Sequence, residues 1–162
     1  MQDKINAVKA FHTAFKIGHR ETPKADLGLE KNMLRYKLMR EENEEYLEAA
    51  NDNDLVEVAD ALGDMLYILC GTIIEHGLQY KIEEVFDEIQ RSNMSKLGED
   101  GEPIYRDDGK VLKGPNYFKP HIKDILTKER GFVTVDDRNN QIIITDTNPK
   151  LTKAKEIISK TI

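Results

Sequence analysis

The sequence predicts an all-α fold, an antiparallel helical bundle with a small C-terminal appendage made of a β-hairpin and one helix. Three observations carry that expectation. Four long segments place apolar residues at helical spacing, a stretch rich in Gly and Pro over 97–120 follows them, and near residue 131 the pattern changes to β-branched alternation. At 162 residues the chain holds one helical domain, expected over 1–130 with 97–120 as an active-site loop or lid, and the appendage over 131–162.

Ile5, Val8, Phe11 and Phe15 mark a first helix over about 3–16, with Asp3 available as its N-cap. Gly18 and Pro23 interrupt. Leu29, Met33, Leu34, Leu38, Tyr46 and Ala50 outline a second helix that stops at Asn51-Asp52-Asn53-Asp54. Asn53 or Asp54 can cap a third helix, which continues to His76 and ends at Gly77. Ile82, Val85, Phe86 and Ile89 give an amphipathic fourth helix that reaches about Ser95. The stretch over 97–120 then carries four glycines, yet Ile104, Tyr105, Val111, Leu112, Tyr117 and Phe118 give it something to pack with. Long loops of this kind are commonly functional covers. A short helix over 121–128 is expected next, then two strands around Arg138-Asn139-Asn140 and a last helix over 149–159.

The charge balance narrows the class of partner. Lys and Arg total 24 against 30 Asp and Glu, a formal charge of -6, which argues against a nucleic-acid polymer or an anionic membrane as partner. A phosphorylated substrate would need bound cations or a few placed Lys and Arg. Residues 55–74 are apolar enough to suggest a membrane span, but Glu57, Asp60 and Asp64 within them speak against one. The first residues lack the features of a signal peptide. The single cysteine, Cys70, sits in an apolar run, where it is expected as a buried thiol in a reducing, cytoplasmic setting.

The acids are the main clue. Glu42 and Glu45 on the second helix lie within about 60° of each other and can share a ligand. Along the stripe of Leu34 and Leu38, carboxylates of Glu41 or Glu42 and then Glu45 occupy turns where core residues are expected. On the third helix, from Leu55 to Ile74, the only ionised groups are Glu57, Asp60 and Asp64, all on one face. Three carboxylates at that spacing repel one another, a cost that a divalent cation removes. Hard oxygen ligands with no neighbouring His or Cys suit Mg²⁺, or Mn²⁺, rather than Zn²⁺. The alternative is a solvated helix face, which is the natural reading of Glu44 and Glu48 but fits the third helix less well, because no Lys, Arg or Gln interrupts its acids.

Glu41-Glu42-Asn43-Glu44-Glu45 followed after a turn by Glu57-Val58-Ala59-Asp60 resembles the EExxE and ExxD signature of the MazG-like all-α NTP pyrophosphohydrolases. That superfamily also holds dimeric dUTPases and phosphoribosyl-ATP pyrophosphohydrolases. The resemblance covers about 1–120 and implies a Mg²⁺-dependent hydrolase that converts a nucleoside triphosphate to the monophosphate and pyrophosphate. It puts Glu42, Glu45, Glu57 and Asp60 on the metal-binding carboxylates, with Asp64 as a further ligand and Glu41 as a residue that could orient water. It assigns substrate contacts to Asn93 and Lys96, more weakly to Lys110 and Lys113, and a base contact to His12. It implies a homodimer or dimer of dimers. With no Trp in the chain, any aromatic wall around a base must come from Phe, Tyr or His. Two other readings stay open: a phosphoribosyl-ATP pyrophosphohydrolase, disfavoured by the long loop and the tail, and a non-catalytic helical module that binds metal or nucleotide.

Overall fold

The computed structural model describes residues 1–128 and the segments 131–135 and 141–145. Five helices follow in order: α1 over Gln2–Ala14, α2 over Leu29–Asn51, α3 over Leu55–Glu75, α4 over Ile82–Met94 and the short α5 over Ile122–Thr127. Two segments, β1 over Gly131–Val135 and β2 over Gln141–Thr145, pair antiparallel with Gly131 opposite Thr145. The expected turn at Arg138-Asn139-Asn140 and the expected helix over 149–159 lie outside the described residues. The chain divides into two compact units, Met1–Ile122 and Lys123–Ile162.

The first unit is organised by α3. Its start is set by Asp54, whose side chain accepts hydrogen bonds from the backbone N–H groups of Val56 and Glu57 and so satisfies two of the donors a helix leaves open. Asn53, just before it, sits at a positive φ of 56° and folds the chain back in a three-residue turn between α2 and α3. The expected N-cap Asp3 is corrected: α1 begins at Gln2 with Met1 as its cap, and Asp3 lies in the first turn, where its charge faces the positive helix end.

α2 packs along α3 and α1 packs against α3 as well. The apolar core comprises Ile5 and Val8 of α1 with Cys70, Ile73 and Ile74 of α3, and Leu78 and Ile82 close it. Cys70 is a buried free thiol, and burial pushes its pKa up, which keeps it protonated and inert. The chain between α1 and α2 then runs across the end of α3. Arg20 N–H donates to the Ile74 carbonyl, Lys24 N–H to that of His76, and Gln79 Nε2 to that of Arg20. Gly77 permits the crossing: its φ is +69°, and a Cβ there would stand 2.2 Å from the Thr22 carbonyl oxygen.

The α2–α3 seam is polar where Lys31 and Arg35 meet α3, which differs from the expected stripe. Leu34 is 53 % exposed, and Arg35 occupies the inward position instead. Its Nε donates to Thr72 Oγ1 at 3.0 Å and its terminal nitrogen to the Ile68 carbonyl at 2.8 Å. One turn earlier Lys31 pairs with the buried Glu75 at 2.9 Å. These contacts fix the register in which the two helices meet. Away from the α1 contact, α3 buries little: Leu55, Val56 and Leu62 are 80, 75 and 50 % exposed, as are Leu29 and Leu47 of α2 at 79 and 58 %. No helix among the described residues is long and apolar enough to cross a membrane, so the acids within 55–74 do interrupt that run as expected.

Residues 113–121 return along α4. Gly114 N–H donates to the Lys96 carbonyl, Phe118 N–H to Ser95 Oγ, and His121 N–H to Glu88 Oε1, while Ser92 Oγ donates to the Phe118 carbonyl. Between Gly98 and Lys113 the chain forms an arm with a tight turn, in which Arg106 N–H donates to the Lys110 carbonyl and Leu112 N–H to that of Ile104. The side chain of Arg106 pairs with Asp108 at its tip.

Candidate active site

The turn between α2 and α3 brings the two acidic motifs into one cleft. About 390 Å³ in volume, it is lined by Glu45, Glu48, Ala49 and Asp52 from the α2 side and by Asp54, Glu57, Asp60 and Ala61 from the α3 side. Ala49 and Ala61 are buried at its floor, and their small side chains let the helices approach while the carboxylates stand at the rim. The antiparallel register explains the pairing: Arg35 meets Ile68 and Thr72, so the residues about three to four turns further along α2 meet those about two to four turns earlier on α3.

Glu42 lies deepest. Its Oε2 is out of contact with water and has no hydrogen-bond partner among the described residues. Burial, and after it the negative charges of Glu45, Asp64, Glu41 and Asp60, hold the Glu42 pKa above the ordinary glutamate range. Glu42 thus shares one region of negative potential with Glu41, Glu45, Asp60 and Asp64. A buried carboxylate oxygen without a donor, surrounded by like charges, is an arrangement a hard divalent cation completes, since the ion supplies both the missing partner and the missing charge. Glu41, Glu45, Glu57, Asp60 and Asp64 are exposed, and among the described residues no three of His, Cys, Asp or Glu converge closely enough to form a finished metal site. Mutual repulsion across an acidic cleft favours that splay.

Sequence reasoning missed three groups lining the cleft. Glu48 was assigned to the solvated face, Asp54 was seen only as a cap, and Asp52 was not singled out; the signal for all three was their position within one turn of the helix reversal.

The expected substrate contacts lie elsewhere. Asn93 Oδ1 accepts from Lys96 Nζ at 2.8 Å where α4 ends. Lys113 Nζ sits 4.4 Å from the centre of the Tyr117 ring. Lys110 lies in the arm, its N–H bonded to Asp108. None of these lines the acidic cleft. His12, expected as a base contact, is 3 % exposed, and its Nδ1 donates to the Gly18 carbonyl at 3.0 Å. Its Nε2 faces Gly71, where a Cβ would stand 3.0 Å from both that nitrogen and the Arg35 guanidinium. In this arrangement the ring is a packing element of the α1–α3 contact.

A family profile described as phosphoribosyl-ATP pyrophosphohydrolase matches residues 8–93, from α1 through both acidic motifs to the end of α4. The chain belongs to the phosphoribosyl-ATP pyrophosphohydrolase family. With it, the chain is a member of the MazG-like superfamily and a hydrolase acting on a phosphoric anhydride of a nucleotide. No curated protein matches it. Among solved structures, this pyrophosphohydrolase is similar to a candidate NTP pyrophosphohydrolase from Exiguobacterium sp. 255-15, at 26 % identity over 76 % of this chain and 93 % of that one, with a TM-score of 0.43. The matching profile carries the name of the substrate reading that the sequence disfavoured. It fixes the kind of bond cleaved rather than the base or sugar attached to it. The profile stops at Asn93, so Lys96, the arm and the C-terminal segment lie beyond it.

Proposed function

We propose that this pyrophosphohydrolase is Mg²⁺-dependent and acts on nucleoside triphosphates, releasing the monophosphate and pyrophosphate. The observation that carries the metal requirement is the unpartnered, buried Oε2 of Glu42 within a field of four further acids. Glu42, Glu45, Glu57 and Asp60 are the residues assigned to hold the cations, with Asp64 beside them; Mn²⁺ would satisfy the same oxygen donors. Bound Mg²⁺ supplies charge neutralisation for the polyphosphate and acidifies water for attack. The chain's own contribution is orientation and proton transfer. Glu41, exposed at the edge of the site, accepts the proton of the attacking water, while Asn93, Lys96 and the loop lysines Lys110 and Lys113 receive the polyphosphate charge.

The same reading takes the protein as a homodimer or dimer of dimers in the cytoplasm. The exposure of Leu55, Val56 and Leu62 on α3 and of Leu29 and Leu47 on α2 supports an oligomer, because a monomer rarely leaves such an apolar surface in water. In that assembly 97–120 serves as a lid and the segment from 131 to 162 as an appendage. Phosphoribosyl-ATP is the second substrate reading, favoured by the family profile.

The test is pyrophosphate release from a panel of ribo- and deoxyribonucleoside triphosphates and phosphoribosyl-ATP, in Mg²⁺ and in EDTA. Turnover of at least one triphosphate that stops in EDTA is expected, together with its loss in Glu57→Gln and Asp60→Asn. Turnover that persists in EDTA would overturn the metal requirement, and preference for phosphoribosyl-ATP would transfer the assignment to the second reading.

A further inference from the structure

The acids of the candidate site stand between two fastenings of α2. At one end the turn at Asp52, Asn53 and Asp54 ties α2 to α3. Towards the other, Lys31 and Arg35 reach across to the last turns of α3. Over its whole length α2 buries one side chain, that of Ala49, while Leu34 and Leu47 are more than half exposed. Hydrophobic burial therefore does little to keep the middle of α2 on α3. The carboxylates there act in the opposite sense. The charges of Glu45, Asp64, Glu41 and Asp60 all bear on Glu42, and like charges on two facing helices push them apart.

Arg35 is placed to oppose that push. Thr72 Oγ1 donates to the Ile68 carbonyl at 2.8 Å, which fixes the direction of its proton and leaves its oxygen open to Arg35 Nε at 3.0 Å. The same carbonyl accepts from Arg35 Nη2 at 2.8 Å. Two bonds from one planar fork fix both the position and the angle of the guanidinium, which an ammonium on a flexible stem cannot do. Gly71 leaves room for it: a Cβ there would stand 3.0 Å from Arg35 Nη2 and 3.0 Å from His12 Nε2, so α1, α2 and α3 meet at this point. Lys31 holds Glu75 through a single ammonium whose side chain is half exposed, a weaker fastening. Arg35 and Glu42 are seven residues apart, two turns of helix, and lie within about 20° of each other on one face of α2. The position of Glu42 over α3 thus depends on a stiff helix pivoted at the turn and closed at Arg35.

We infer that Arg35 is a positioning residue for the acidic cleft: its two bonds to α3 hold α2 closed against the repulsion of the carboxylates and so set the spacing between Glu42 and the acids of α3. The inference deepens the proposed function and rests on it for the identity of the cation. Thr72 and Gly71 share the role, one as the acceptor and the other as the space the guanidinium needs.

Two readouts test it, one of them independent of metal. Spin labels on Lys37→Cys and Gly63→Cys report the α2–α3 separation by double electron–electron resonance in EDTA, with labelled chains diluted by unlabelled ones. A Cβ at Gly63 meets nothing within 4 Å, and the buried thiol of Cys70 does not take the label. In Arg35→Met the distance should lengthen or broaden by roughly 4 Å, the displacement that an opening of about 10° gives fifteen residues from the turn. Arg35→Lys and Thr72→Val, which each keep part of the clamp, should shift it less. Titration calorimetry with Mn²⁺ on the unlabelled variants should show binding weakened roughly 10- to 100-fold in Arg35→Met, the range for groups that orient metal ligands without touching the metal, and less in the other two. Ile73→Val trims the apolar core and should lower Tm while leaving both readouts unchanged. An unchanged distance in the Arg35 and Thr72 variants, or an equal loss of Mn²⁺ affinity in Ile73→Val, would overturn the positioning role. If the distance shifts but the wild type binds no Mn²⁺, the metal requirement of the proposed function fails and the clamp stands.

Discussion

Replacing Glu42 with Gln should make the protein more stable without metal and less stable with it. In the wild type the Oε2 of Glu42 has neither water nor a hydrogen-bond donor, and Glu41, Glu45, Asp60 and Asp64 oppose its charge. An unsatisfied buried group costs about 1–3 kcal/mol. Glu42 is only half-buried, so the lower end applies, about 1 kcal/mol. Glutamine keeps the volume, removes one of five negative charges and gains an amide that can donate to the neighbouring carboxylates. In EDTA the variant should therefore melt roughly 2–4 °C higher, the shift about 1 kcal/mol produces in a chain of this size. A bound cation reverses the order. At a hundredfold excess over its Kd, Mg²⁺ stabilises the wild type by about 2.7 kcal/mol, roughly 5–10 °C, and the variant by much less. Differential scanning calorimetry in EDTA and across a Mg²⁺ titration reads both halves, with pyrophosphate release measured alongside. A variant that melts lower than wild type in EDTA, or gains as much from Mg²⁺, would refute the account of Glu42 as a ligand strained by its neighbours.

Three further outcomes test the framework around the site. Gly71→Ala brings a Cβ to 3.0 Å from both the Arg35 guanidinium and His12 Nε2; such overpacking costs about 1–3 kcal/mol, and thermal melts should fall accordingly. Asp54→Ala removes the cap of α3 and should cost about 1 kcal/mol, a fall of roughly 2–4 °C; an unchanged melt would show that the cap contributes nothing. The Glu88 carboxylate accepts from His121 N–H and from Arg91, and these bonds hold its pKa below the ordinary glutamate range. Its contribution is present above the ordinary pKa and is lost as pH falls through the depressed one, so the wild type should lose stability on acidification below about pH 4.3. Glu88→Gln should flatten that acid limb in pH-dependent melts, and an identical limb would remove Glu88 as the latch of the returning segment.

Helix boundaries were legible because they depend on local chemistry. Gly77 and the cluster from Asn51 to Asp54 end and begin helices through backbone preferences and capping that act within a few residues. The acidic motifs were legible for a related reason, since acids at helical spacing share a face whatever the rest of the chain does. Asp3 failed as a cap because a shift of two residues at a helix end costs little.

What required the tertiary structure is every relation between elements. Periodicity offered Leu34 to the core, but the register of α2 on α3 turned Arg35 inward, where it serves Thr72 and the Ile68 carbonyl. A repeat of 3.6 residues leaves neighbouring positions nearly equivalent, and only the facing helix distinguishes them. Glu42 looked like one glutamate among four in its run, and its distinction is the orphaned oxygen that comes from packing against α3. The burial of His12 was not legible either, since it comes from the packing of α1 and the turn after it on α3. Gly114 meets the backbone of Lys96 and Leu97 across the arm, and it can do so because a glycine lets two stretches of backbone approach more closely than any side chain would allow. The sequence by itself determined where helices form and that acids crowd one face of them, because both follow from local geometry. The tertiary structure decided which acid has a covered oxygen and which stretches of backbone meet, because burial and close approach are properties of two surfaces in contact.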